Sequence, residues 1–185
     1  SQAAGVLLAG RLLAAIVGEP ASIRVLPALI GLLLIGKVLV VTQVLDLSTC
    51  AGVTIGYVCW WVIHACHEPR RSQTIFFVLF FAYTLSALMP LAFRAVPAEF
   101  NWIPFADSLE GSMLTNVQAV GNRLAVYGGL LWLWQALGGR LVPGSIALAL
   151  WVLFLETVQM LIQGRTATIS EPLWVLIVAI VMTQI

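Results

Sequence analysis

Apolar residues run along this chain in blocks of about twenty, the length an α-helix needs to cross a ~30 Å hydrocarbon layer at about 1.5 Å per residue. The blocks predict helices over Ala3–Gly18, Val25–Leu47, Thr49–His64, Thr74–Phe93, Val117–Leu137, Val142–Ile162 and Leu173–Ile185. Within each block the apolar positions are continuous rather than alternating, which favours helices over barrel strands. Turn residues separate them: Gly18-Glu-Pro20, Asp46-Leu-Ser48, Glu68-Pro-Arg-Arg71, Gly138-Gly-Arg140 ahead of Pro143, and the stretch from Gly164 to Pro172. The one long connection, Arg94 to Asn116, mixes Arg94, Glu99, Asp107 and Glu110 with Phe100-Asn-Trp-Ile-Pro-Phe105, a blend suited to a membrane interface. The expected architecture is an all-α integral membrane protein, a polytopic bundle of six to seven transmembrane helices. Residues 1–73 would supply about three of them and residues 74–185 a four-helix domain.

Composition strengthens this picture. Of 185 residues, 61% are hydrophobic and 9% charged, with mean hydropathy +1.03. A soluble domain carries about 25% charged residues to cover its surface. The net charge of +1 and the lack of any run of like charges argue against nucleic-acid binding. Membrane lipids are the expected partners, with other membrane protein chains as further candidates. The sequence opens on Ser1 and stops inside an apolar run, so more chain is expected at both ends. Arg11 interrupts the first block and no positive leader precedes it, which fits a membrane helix better than a signal peptide.

Arginines in the short connections suggest an orientation. Arg24, Arg70, Arg71 and Arg140 follow the odd-numbered spans, whereas Arg94 and Arg165 follow the even-numbered ones. The positive-inside bias then places the Arg70-Arg71 loop in the cytoplasm, and the long loop and the Gly164–Pro172 loop outside it.

Cys50, Cys59 and Cys66 lack Cys-x-x-Cys spacing and read as buried thiols. His64-Ala-Cys-His67 puts two imidazoles at i and i+3, but no third ligand accompanies them, so interfacial histidines are expected and no metal. No Gly-rich phosphate loop, Gly-x-Ser-x-Gly elbow or His-Glu-x-x-His occurs, and no cofactor is expected. No nucleophile stands beside a base, although a carboxylate, an Arg and a Gln could do acid–base work, so catalysis stays an open question.

The informative residues are ionisable groups inside the spans, since a charge at the bilayer centre costs about 2.5–3.5 kcal/mol on insertion scales. These are Arg11, Lys37, Arg123 and Glu156. Glu156, Gln159 and Gln163 share one helix face, and Asn116, Arg123 and Tyr127 form a matching stripe with Asn122 beside it. Pairing of Glu156 with Arg123 or Arg165 is the expected arrangement, because a lone buried charge is far more costly than a paired one. Such a pair could merely fix helix packing, or it could receive a polar or anionic headgroup, phosphate being a natural partner of Arg. Lys37 can snorkel, and Arg11 has no evident partner in the sequence.

Several of these residues stand in an order that resembles the VanZ-like membrane proteins, a family named after a teicoplanin-resistance protein. The resemblance covers roughly Thr74 to Ile185. It rests on Asn101-Trp-Ile-Pro-Phe105, on Asn122 ahead of Gly128-Gly129, and on Glu156-Thr-Val-Gln159 followed by Gly164-Arg165 and Glu171. The acidic motif is degraded: Thr168 and Glu171 stand where the family pattern has Asp, Val175 where it has Asn, and Gly128 where Pro is common. The resemblance implies a cell-envelope protein of the bacterial inner membrane whose motif loops are extracytoplasmic. Its headgroup candidates are Arg123, Glu156, Gln159, Arg165 and Glu171, supported by Asn101, Pro104, Asn122 and Tyr127. The alternative is an accessory subunit of a larger membrane complex with no catalysis of its own. A small transporter or channel is disfavoured by the absence of repeats and paired half-helices.

Overall fold

Unbroken runs of Leu, Val, Ile, Ala and Phe form helices, and Gly and Pro end them. The computed structural model describes residues 2–17, 22, 25–32, 47–64, 70–106 and 113–184. Its helices are α1 (Gln2–Val17), α2 (Leu47–His64), α3 (Arg70–Leu88), α4 (Met113–Ala136), α5 (Leu141–Gln159) and α6 (Ser170–Met182). Residues 25–32 are also helical, and two short strands occur, β1 (Phe100–Asn101) and β2 (Ala167–Thr168).

Each predicted block but one matches a helix within a few residues. Of Val25–Leu47, only residues 25–32 and the start of α2 are described, and Lys37 lies outside the described residues. The helix expected at Thr74–Phe93 begins at Arg70 and ends at Leu88. It stops there because Pro90 has no N–H to continue the ladder and turns the preceding residue away from helical dihedrals. Leu91 then takes a left-handed φ of 60°. Arg71, expected in a loop, belongs instead to the first turn of α3 and is buried, so it is not a surface charge for the orientation count.

The chain divides into two compact units, Ser1–Leu79 and Phe80–Ile185. In the first, α1 packs against α2 around Leu7, Leu8, Ala14 and Trp60. The contact is close: a Cβ at Gly10 would stand 2.7 Å from the Trp60 ring, so this position requires glycine. Arg11 donates from Nε to Ser72 Oγ at 3.2 Å, which supplies the partner that the sequence did not reveal.

In the second unit, α6 packs against both α4 and α5. Tyr127, Leu130, Leu131, Leu133, Val152, Leu155, Val175 and Val178 fill the space between them. The end of α3 joins this unit through Trp151 Nε1, which donates to Thr84 Oγ1 at 3.2 Å, and through stacking of Phe80 on Trp151 with centroids 5.4 Å apart.

Two described helices are long and apolar enough to cross a membrane: α3, with mean hydropathy 1.3, and α5, with 1.9. Shorter apolar stretches among the described residues lie at Ala4–Ile16, Ala51–Ile63 and Ser170–Met182. Among the described residues, helix length and hydropathy thus support two of the six to seven spans expected from the sequence. In both of these helices only 28% of the apolar window is buried. Along α5, Val142, Ile146, Leu150 and Phe154 form an exposed apolar stripe at four-residue spacing, while Ser145, Glu156 and Gln159 are buried.

Candidate functional site

The two connections flanking α4 and α5 in sequence, residues 89–106 and 160–169, are stitched together main chain to main chain. Gln163 N donates to Ala92 O at 2.7 Å, Arg94 N to Leu161 O at 2.8 Å, and Ala98 N to Met160 O at 2.8 Å. Strands β1 and β2 then pair in parallel, Phe100 opposite Ala167 and Asn101 opposite Thr168, and Ile169 N donates to Asn101 O at 3.1 Å. Two arginines reinforce the seam. Arg94 donates to Ile162 O, at 2.7 Å from Nη2, and to Arg165 O at 3.2 Å. Arg165 donates to Met89 O at 2.9 Å and to Ser86 O at 2.6 Å. The last carbonyls of a helix have no partner within it, so Arg165 both satisfies and neutralises the C-terminal end of α3.

Above this seam lies a chain of polar side chains. Arg123, on α4, donates through Nε to Glu171 Oε1 at 2.8 Å and approaches the same oxygen with Nη2 at 2.7 Å. One helical turn along, Tyr127 donates to Glu171 Oε2 at 2.5 Å, and its hydroxyl lies 3.0 Å from that of Tyr83 on α3. Glu171 occupies the first turn of α6, where the helix dipole favours an anion. Trp174, one turn further, carries its ring 6.0 Å below the Arg123 guanidinium, at the limit of a cation–π contact. The Phe105 ring meets that indole edge to face at 5.5 Å, and Phe105 N donates to Ser170 Oγ at 2.8 Å. Phe105 adopts φ 60°, a conformation costly for a bulky residue and held here by these contacts on both sides. About 20% of the Arg123 and Glu171 side chains stays accessible, so the pair is open to a polar group arriving from outside.

Arg123 thus forms an ion pair with Glu171, and Arg165 donates to main-chain carbonyls. Glu156 is buried at 3% exposure and accepts from Thr168 N at 2.7 Å. Its carboxyl group therefore fastens the end of α5 to β2 through a hydrogen bond. Thr168 makes this contact with its backbone, which is indifferent to the side chain standing where the family pattern has Asp. Val175 is wholly buried and offers no polar group at that position. Gln159 is buried beside Glu156 at the end of α5, Asn101 accepts from Ile103 N at 3.0 Å, Pro104 is exposed within the turn before Phe105, and Asn122 is exposed.

Tyr83, Phe105, Ser170 and Trp174 were not among the sequence candidates, yet all four contact the Arg123–Glu171 cluster or its immediate supports. The available signal was weak: Tyr83 begins a short polar run, Tyr83-Thr84, within an otherwise apolar helix. Among the described residues no three His, Cys, Asp or Glu side chains converge as metal ligands. The His64 side chain, Cys66, His67, Asp107 and Glu110 lie outside the described residues. No family model, curated protein or solved structure matches the chain.

Proposed function

We propose that this chain is an integral protein of the bacterial inner membrane, a six-to-seven-span bundle whose last four helices form a VanZ-like unit. Its function is to bind a polar or anionic lipid headgroup at the extracytoplasmic end, around Arg123, Glu171 and Tyr127. The observation that carries this reading is the inverted polarity of the second unit. Apolar stripes face outward, while Glu156, Tyr127 and Ser145 are buried and the Arg123–Glu171 pair is mostly covered. Surfaces of that kind are stable in hydrocarbon and not in water. A partly accessible guanidinium at the edge of such a bundle suits a phosphate, which it binds bidentately. The order of motif residues resembling VanZ-like proteins supports the envelope role.

The test has two arms. Alkaline carbonate should leave the full chain in the membrane pellet; release into the supernatant would remove the membrane assignment. The protein is then reconstituted in nanodiscs and titrated with phosphatidylglycerol in a phosphatidylcholine background. The R123Q variant should lose about tenfold in affinity for the anionic lipid, the equivalent of one charge-assisted contact. Unchanged binding by R123Q would eliminate the headgroup site.

A further inference from the structure

A groove lies beside the β1 segment. Its volume is about 640 Å³, and it runs between that segment and the C-terminal half of α5, lined by Glu99, Phe100, Trp102, Leu153, Thr157 and Met160. That volume falls within the roughly 300–1,000 Å³ of small-molecule sites. The groove is built rather than incidental. Its outer wall is fixed by the bond from Ala98 N to Met160 O and by the pairing of Phe100 with Ala167.

The chemistry of the lining is specific. Phe100 and Trp102 have centroids 4.6 Å apart with planes inclined at 50°, which leaves two aromatic faces angled beside one cavity. Next to them stands Glu99, exposed, and its carboxylate has no hydrogen-bond or ion-pair partner among the described residues. Aromatic faces with a carboxylate beside them attract a cation. Leu153, Thr157 and Met160 continue the groove along α5, and the neighbouring Leu150 and Phe154 are exposed apolar residues. An occupant that is cationic at one end and aliphatic at the other satisfies both halves.

We infer that this groove binds an aminophospholipid, with the primary ammonium of the headgroup against Glu99, Phe100 and Trp102 and an acyl chain along Leu153 and the outer face of α5. The inference rests on the membrane reading above, but it uses residues and a charge sign different from the Arg123 site.

The test is photo-crosslinking of the full chain, reconstituted in phosphatidylcholine vesicles, with phosphatidylethanolamine carrying a photoreactive acyl chain. Labelling should map to the peptide containing Leu153 to Met160, and E99Q and W102A should each reduce it about tenfold, with W102F reducing it less. R123Q should leave it unchanged. Equal labelling by photoreactive phosphatidylglycerol, full labelling of E99Q, or crosslinks confined to other helices would overturn the inference while leaving membrane integration intact. Groove residues shielded from lipid by a second protein helix would also overturn it. A chain that fails to float with the vesicles would instead bring down the membrane reading, and this inference with it.

Discussion

At the level of single residues, the Arg123–Glu171–Tyr127–Tyr83 chain is graded in strength. Tyr127 donates directly to a carboxylate, whereas Tyr83 meets only another hydroxyl. Hydrogen bonds to charged groups contribute about 1.5–3 kcal/mol and neutral ones about 0.5–1.5 kcal/mol. Y127F should therefore lower unfolding stability in detergent by more than Y83F, and equal losses would contradict the assigned donor pattern. This network was only half legible in sequence. Helical spacing identified Arg123 and Tyr127 as one polar stripe and Glu156 as another. Spacing around a helix reports which face a residue occupies but not how far along its neighbour it meets a partner. The stagger of α4 against α6 brings Arg123 to Glu171, and Glu156 accepts from Thr168 N.

At the level of elements, Arg165 ties the loop that follows α5 to the end of α3. It reaches Ser86 O in the last turn and Met89 O just beyond. R165A leaves those carbonyls without the cation that satisfies them. Hydrogen exchange at the amides of Arg94 and Ala98, which bond across the same seam, should accelerate about five- to tenfold, a local opening made easier by about 1–1.4 kcal/mol. Protection unchanged in R165A would mean that the seam is held without it. Helix existence was readable from the apolar blocks, since a continuous run of that length has few alternatives. Helix ends were less so, because Pro90 cut α3 short and Arg70 and Arg71 were absorbed into its first turn. The β1–β2 pairing was not readable at all. Two-residue strands leave no period, and their register follows from the seam rather than from their own side chains.

At the level of the whole molecule, the question is which solvent its outer surface meets. Leu150 and Phe154 on α5 are more than half exposed, while the carboxylate of Glu156 on the same helix is buried. In water that distribution would be strongly unfavourable, each exposed large apolar side chain forgoing about 1.5–3 kcal/mol of burial. In a bilayer it is the expected one. Apolar abundance pointed to this reading from composition alone, whereas the division between exposed and interior sides needed the packing of α4, α5 and α6. The most direct measurement is the accessibility of a spin label at L150C in the reconstituted full chain. Frequent collisions with oxygen and few with a water-soluble nickel complex are expected; the reverse pattern would show that this face of the helix meets water and that the chain is not organised around lipid.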